Sequence, residues 1–266
     1  APVELLDVLA RRRSVRRFKP VPIPEEDLEK LLFALQRAPT DASAQLYSAI
    51  RVRDPRLRDE VARLSGDREH IRQAAEFFLF LADVHRLERL LAHRGQRMAF
   101  WPRTALHFAI LDAGIAASYL ALTAEALGYG VCFIGGVLNG VEALTDLLGL
   151  PPGVLPVVGL AVGVPDEEGP PMPRLPRRLV VHEDRYRPYA AEDLEEAYRA
   201  MAPYSRVGDW NRVLRRYFAE GGTMEAREKP YGKVLSRQGF DPDLPQGAPF
   251  YSLGALLEEA LAEARG

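Results

Sequence analysis

The stretch EFFLFLA, residues 76–82, carries the strongest indication of the fold. Its apolar run from Phe77 to Leu81 has no polar interruption, whereas a strand with one wet face would alternate apolar and polar residues. Such a run is typical of a strand that is buried on both faces. The stretch therefore predicts a strand inside a sheet that other elements cover on both sides.

Outward from this strand, predicted helices alternate with predicted strands. The predicted helices span residues 3–12, 24–38, 55–64, 102–128 and 141–148. The predicted strands span residues 46–52, 76–82, 131–134 and 157–164. This alternation predicts an α/β or α+β sandwich around one mixed sheet.

The sequence changes character after residue 165, where prolines recur and predict an extended segment. Polar helices are predicted from Glu192 and from Trp210, and an amphipathic helix over residues 253–265. We therefore predict two parts. Residues 1–165 form the core, and residues 166–266 form an extended arm and helical C-terminal segment that packs on the core or on a partner.

The composition of the chain argues against nucleic-acid-binding and membrane proteins. The net charge of -2 gives no field that favours nucleic acid or an anionic membrane. The single cysteine, Cys132, excludes an internal disulfide, and with no signal-peptide pattern it predicts a cytoplasmic protein. The apolar stretch 105–128 carries His107, Asp112 and Glu125, which would be costly in lipid, so it predicts a buried helix rather than a membrane span.

The same helix places small residues four apart, a spacing that lets helices approach closely. They are Ala109, Ala113, Ala117 and Ala121. This face either joins two subunits or packs against the sheet inside one subunit, and the sequence leaves both interpretations open.

The segment RRSVR, residues 12–16, is the first candidate binding motif. In an extended chain Arg12, Ser14 and Arg16 point to the same side. Two guanidiniums and a hydroxyl there are suited to a phosphate and a polar ring edge. The alternative is a solvated basic helix end.

Two further motifs contain glycine or proline. Residues 124–136 form a helix, a turn and a strand that ends in Gly135-Gly136, where backbone amides can approach a flat ligand closely. The alternative is an ordinary turn. In the segment MPRLP, residues 172–176, prolines fix an extended chain that presents Arg174 at a defined position, or that merely crosses the surface.

Several catalytic signatures are missing from the sequence. It has no G-x-G-x-x-G, no phosphate-binding G-x-x-x-x-G-K-[ST] and no G-x-S-x-G. The five histidines show no metal-ligand spacing, so no metal site is predicted. We expect an enzyme whose reactive group is a bound cofactor.

Together these motifs resemble the FMN-dependent, oxygen-insensitive nitroreductase and flavin reductase family over about residues 5–240. The later ones resemble its larger, NADPH-preferring branch. The similar segments are residues 12–18, 73–77, 124–136, 173–176, 180–183, 229–230 and 238–240. The resemblance implies an α+β, three-layer α/β/α sandwich with a central mixed sheet and a helical C-terminal extension. It also implies a homodimer with FMN between the subunits.

Site residues follow from the same resemblance, position by position. The flavin contacts it implies are Arg12, Arg13, Ser14, Arg16, Thr40, Gln45, Arg68, Ile134, Gly135, Gly136 and Arg174. The first four and Arg174 would hold the phosphate and ring edge. Thr40 and Gln45 would approach the flavin of the other subunit. Ile134, Gly135 and Gly136 would lie against the ring by their backbones.

The chain departs from the family pattern at three positions, two of them among these contacts and one two residues before Arg174. Arg12 stands where the family often has His, Arg68 where it usually has Gln, and Met172 where it has Lys. Arg68 would stabilise negative charge at the pyrimidine end of the reduced ring. Lys229 stands where the larger branch has a basic residue before proline, and would meet the 2′-phosphate of NADPH.

The activity implied is a ping-pong cycle. NADPH or NADH would pass hydride to flavin N5, and a nitroaromatic, a quinone or a free flavin would then take the electrons. No side-chain nucleophile is expected. Two alternatives stay open: a specialised relative that dehalogenates substrates or fragments its flavin, and a flavin-binding protein without turnover.

Overall fold

The computed structural model of the chain describes residues 4–204, 208–241 and 243. The strands, β1 to β4 in chain order, are Tyr47–Arg51, Glu76–Asp83, Gly130–Ile134 and Val154–Gly163. The helices, α1 to α10 in chain order, are Leu5–Arg11, Glu25–Gln36, Pro55–Leu64, Glu69–Gln73, His85–His93, Pro102–Ala126, Val141–Leu147, Ala191–Met201, Trp210–Phe218 and Thr223–Arg237. The predicted helix over residues 253–265 lies outside the described residues.

The described strands form one sheet in the order β1-β2-β4-β3. All three strand pairs are antiparallel, because the chain after β3 reverses before β4 enters between β2 and β3. The α+β class is therefore confirmed, with one correction. Among the described residues, the parallel component expected of a mixed sheet is limited to a single bridge between Ser14 and Val131.

Helices cover both faces of the sheet, which gives the three layers that were predicted. Phe78 and Phe80 of β2 pack with residues of α2 and α6 on one face. Phe77 and Leu79 pack with residues of α3, α4 and α7 on the other. The run from Phe77 to Leu81 is no more than 3% exposed at any residue, so the prediction of a strand buried on both faces is confirmed. Each of these large side chains stabilises the fold by roughly 1.5–3 kcal/mol.

The small-residue face of α6 packs inside the subunit. Its alanines are buried in the core beneath β2 and α2, which decides between the two interpretations left open by the sequence. By length and composition α6 is also apolar enough to cross a membrane, with a mean hydropathy of 1.6 over its best window. The face that α6 leaves exposed carries Leu111 and Tyr119.

The element bounds differ most from the prediction at β4 and at three helices. β4 begins at Val154 rather than at residue 157, because Pro156 lies beside a bulge opposite Leu81, where a missing N–H is tolerated. The sequence patterns do not predict α4, α5 or α10. α10 continues through Pro230, a residue that normally ends a helix.

The described part of the chain forms two compact units. The first comprises the residues up to Glu168 together with those from Lys229 onward, and the second comprises Gly169–Glu228. Within the second unit, Arg178 and Arg187 donate to Asp193, and the Arg178 contact holds the pKa of that carboxyl well below its usual range. The predicted division into domains at residue 165 stays a prediction.

Glu88 in α5 is the least compensated charge of the core. It is 1% exposed, and neither its carboxylate oxygens nor Nδ1 of His85 has a hydrogen-bond partner among the described residues. Burial raises the pKa of Glu88 above its ordinary value. A raised carboxyl pKa lowers the free energy of unfolding as pH rises from the unfolded pKa towards the folded one, and this loss of stability persists at higher pH.

We therefore expect Glu88→Gln to stabilise the protein at about pH 8, with Tm rising by about 2–4 °C for each kcal/mol of penalty removed. The gain should vanish below pH ~3, well under the unfolded glutamate pKa of about 4.3, because the carboxyl is then protonated in both states. Thermal unfolding over this pH range checks the expectation. Glu60→Gln, which removes an exposed partner of Arg63, should change Tm little. A loss of stability in Glu88→Gln at the higher pH would contradict the expectation that the charged Glu88 destabilises the fold.

Candidate functional site

The arginine-rich segment over residues 12–18 lies along β3, extended as predicted. The amide of Val15 donates to the carbonyl of Val131 at 2.9 Å, and the side chains of Val15 and Phe18 are buried. This close approach needs glycine at position 130, where a Cβ atom would lie 2.7 Å from Val15 Cγ2. The apolar residues thus fix the segment on the sheet and leave its polar residues towards the surface.

The arginines of this segment differ in their partners. Arg12 Nε donates to the carboxylate of Glu125 at 3.2 Å, and Arg13 donates to the main-chain oxygen of Glu167. The amide of Arg16 donates to the Glu167 carboxylate at 2.5 Å, but the Arg16 guanidinium has no carboxylate partner in the described part of the chain. The sequence motif implied that Arg12 and Arg16 are equivalent cations. In the structure they are not, because only Arg12 pairs with a carboxylate among the described residues. The flavin role of Arg12 stays a prediction.

A glycine turn, Gly135–Gly140, follows β3 directly. A Cβ atom on Gly136 would lie 2.5 Å from the carbonyl oxygen of Ser65, so Gly136 is required for packing within the chain. A Cβ atom on Gly135 would meet no heavy atom within 4 Å. Only Gly135 is thus exposed to open space, where a flat ligand can approach the backbone.

Arg68 lies next to this turn and brings a second exposed cation. Its Nε is 3.7 Å from the position that a Cβ atom of Gly136 would take, and no carboxylate among the described residues pairs with it. Burial lowers the pKa of His70, and the charges of Arg16 and Arg68 lower it further. Burial raises the pKa of Cys132, and the same two arginines oppose that shift. The charges of both arginines therefore act on the same two residues, His70 and Cys132.

Thr40 and Gln45 lie in a loop, residues 40–46, that leads into β1. Thr40 Oγ1 accepts a hydrogen bond from the amide of Gln45 at 3.3 Å. Three residues that are not glycine are left-handed, with φ of 46° at Ala42, 54° at Ser43 and 54° at Gln45. Each such residue costs about 1 kcal/mol or more.

The structure does not bring the two predicted parts of the flavin site together within one chain. Thr40 and Gln45 adjoin β1, whereas Arg16 and Gly135 adjoin β3, and these strands are opposite edges of the sheet. Three strand spacings separate the two edges, about 14 Å. One chain therefore presents two half-sites that lie at opposite edges of the sheet.

Arg174 and Lys229 are exposed. Arg174 lies in an irregular extended segment, as predicted, and donates to the carbonyls of Met172 and Pro173 at 3.3 and 3.0 Å. Lys229 lies inside α10, immediately before Pro230, rather than near a helix end. The cofactor roles of both residues stay predictions.

Sequence reasoning missed two carboxylates that organise these half-sites. Glu167 holds Arg13 and the amide of Arg16, and Asp112 bonds to the backbone of the loop over residues 40–46. The acidic run that follows Pro165 is complementary to the arginine segment and was a usable signal. No sequence signal marks Asp112, since one carboxylate in an apolar helix does not reveal its partner.

Comparison with known proteins identifies the class to which this fold and site belong. The chain matches the Nitroreductase family over residues 9–164. It is 33% identical over 183 residues to an FMN reductase (NADPH) of Bacillus subtilis, covering 68% of this chain and 74% of that protein. It is 33% identical over 243 residues to an oxygen-insensitive NADPH nitroreductase of Salmonella typhimurium, covering 88% and 97%. The chain belongs to the nitroreductase family, as its motifs predicted.

A solved structure gives the same assignment. The structure of a nitroreductase from Bacillus subtilis superposes with a TM-score of 0.82 at 27% identity, and the alignment covers 89% of this chain and 98% of that one. The match over nearly the whole relative confirms the predicted nitroreductase-like sandwich.

Proposed function

We propose that the protein is an FMN-dependent NAD(P)H oxidoreductase that passes electrons to quinones, nitroaromatics or free flavins. The observation that carries this proposal is that Arg16 and Arg68 have no acidic partner among the described residues, while the backbone of Gly135, directly after β3, faces open space. The relatives named as an NADPH-dependent FMN reductase and an NADPH nitroreductase support the choice of cofactor and donor.

FMN fits the chemistry of the residues at the end of β3. A phosphate needs a cation that no acid already neutralises, which Arg16 provides. A flat ring needs backbone without side-chain obstruction, which Gly135 provides. Arg16, with Arg13 and Ser14 beside it, would hold the phosphate, and Gly135 would lie against the ring.

FMN, held by Arg16 and lying against Gly135, would supply the redox chemistry, which is hydride transfer between the nicotinamide and the second substrate. The protein supplies position and charge. Arg68 would offset negative charge that develops at the pyrimidine end, and its effect is greatest where water is excluded. Arg16 would fix the phosphate end, so that the ring takes one orientation against each substrate in turn.

We further propose that the active protein is a homodimer. The half-site at β1 and the half-site at β3 lie at opposite sheet edges, so that a second chain is needed to bring Thr40 and Gln45 to a flavin held by Arg16. The exposed side of α6, with Leu111 and Tyr119, offers apolar area for that contact. A monomeric mass at micromolar concentration with flavin bound would contradict this proposal.

Steady-state kinetics test the activity directly. We expect NADPH oxidation that depends on an added quinone or nitroaromatic, with parallel double-reciprocal plots because both substrates use one flavin in turn. Flavin uptake without any NADPH oxidation, over a panel of such acceptors, would favour a flavin-binding protein without turnover.

Lys229 tests the choice of nicotinamide donor. We expect Lys229→Ala to raise KM for NADPH several-fold, about 3- to 10-fold, and to leave KM for NADH nearly unchanged, because only NADPH carries the 2′-phosphate. Lys233→Ala is the matched control, since Lys233 is also an exposed lysine of α10 and makes only a long contact of 3.8 Å with Glu142. Equal changes for both donors would mean that Lys229 does not contact the phosphate.

A further inference from the structure

We infer that Asp112 is a positioning residue for the cofactor. From the core helix α6 it fixes the loop over residues 40–46, whose Thr40 and Gln45 the proposed function brings to the flavin of a second subunit. The inference rests on that proposed function. Asp112 itself touches neither cofactor nor substrate in this account and acts only through the loop.

The contacts of Asp112 are directed to both ends of the loop. Its Oδ1 accepts from the amide of Asp41 at 3.0 Å, and its Oδ2 accepts from the amide of Leu46 at 3.0 Å. The side chain is 1% exposed, so water cannot replace either contact. A buried carboxylate that accepts two backbone amides is a strong, charge-assisted anchor, and a neutral side chain cannot reproduce both bonds.

The backbone between these two ends is strained in a way that packing does not require. Ala42, Ser43 and Gln45 have positive φ, yet all three side chains are exposed. Non-glycine residues keep such conformations only when their surroundings impose them, and they concentrate at binding sites. The strained shape therefore serves what the loop presents outwards rather than the core beneath it.

The two ends of the loop are not held equally. Arg86 also secures the C-terminal end, donating to the carbonyl of Gln45 at 2.8 Å and to that of Tyr47 at 2.7 Å. Among the described residues, the amide of Asp41 has Asp112 as its side-chain partner and no other. Loss of the carboxylate therefore releases mainly the half of the loop that carries Thr40.

The test is titration of FMN into apo-protein, with thermal unfolding of the same samples. We expect Asp112→Asn to raise Kd for FMN by about tenfold or more, because one charge-assisted anchor is lost. Adding Ala42→Gly to that variant should recover part of the affinity, because glycine adopts positive φ without penalty. Ala42 is exposed, so its replacement disturbs no packing.

Gln238→Leu is the matched control for a buried polar anchor. Gln238 is 3% exposed and donates to the carbonyls of Leu150, Pro151 and Val154, none of which belongs to the loop. It should lower Tm and leave Kd for FMN near that of the wild type. Where Asp112→Asn does not fold, Ala42→Pro replaces it: proline cannot adopt positive φ, so it should weaken FMN binding far more than Gln238→Leu does for a comparable loss of Tm.

Three results would overturn the inference. Unchanged FMN affinity in Asp112→Asn or in Ala42→Pro would show that the loop shape is irrelevant to the cofactor. A loss of affinity in Asp112→Asn and Gln238→Leu alike, in proportion to their Tm, would reduce Asp112 to a structural role. A wild-type protein that takes up no FMN would overturn the proposed function, and the inference with it. This result differs from the first two, in which the wild-type protein binds FMN.

Discussion

Arg16→Ala is expected to weaken FMN binding by about 10- to 100-fold, since a charge-assisted phosphate contact contributes roughly 1.5–3 kcal/mol. Among the arginines of residues 12–17, Arg16 is the one whose guanidinium has no acidic or main-chain partner in the described part of the chain. Its removal therefore breaks no hydrogen bond or ion pair among the described residues, and Tm of the apo-protein should hardly change. Fluorescence titration of FMN measures the affinity.

Arg17→Ala is the control for Arg16→Ala. Arg17 is the next residue, carries the same charge and is exposed, and its guanidinium makes a 3.7 Å ion pair with Glu167. It should retain nearly wild-type FMN affinity. Arg16→Ala that keeps stoichiometric flavin after dialysis at micromolar protein would show that the phosphate is held elsewhere.

Replacements at the two glycines after β3 should separate cofactor binding from folding. Gly135→Val is expected to abolish most FMN binding while Tm of the apo-protein stays near wild type, because a Cβ atom there has no heavy atom within 4 Å and the side chain fills the space proposed for the ring. Gly136→Ala should instead destabilise the fold, by about 1–3 kcal/mol, because its Cβ would lie 2.5 Å from the Ser65 carbonyl oxygen. Thermal unfolding and FMN titration of both variants give the comparison.

The opposite pattern would contradict this view of the glycine turn. If Gly135→Val bound FMN as tightly as the wild type, the ring would not approach Gly135. If Gly136→Ala kept its full stability, the turn would have to move away from Ser65 at little cost. Glycine would then not be required at position 136 for packing.

Much of the fold was predictable from the sequence because it depends on local patterns. The uninterrupted apolar run of β2 requires burial on both faces, and Pro102 marks the start of the long core helix α6. Strand direction depends on where distant segments meet, which no local pattern records. That is why a mixed sheet was expected where the strand pairs are antiparallel.

The candidate site was predictable in its residues more than in its interactions. The motif over residues 12–16 identifies three arginines but cannot show that Glu125 engages Arg12 while Arg16 stays unpaired. The doublet Gly135-Gly136 does not reveal that Gly136 is required for packing whereas Gly135 faces open space. Each distinction depends on a residue far away in sequence.

The most direct test of the account is the cofactor itself. The purified protein, after incubation with FMN and removal of the excess, should be yellow and should release stoichiometric FMN on denaturation. That bound flavin should be bleached by NADPH without oxygen and restored by a quinone. A protein that stays colourless after this treatment, or whose bound FMN is not reduced by NADPH or NADH, would contradict the account.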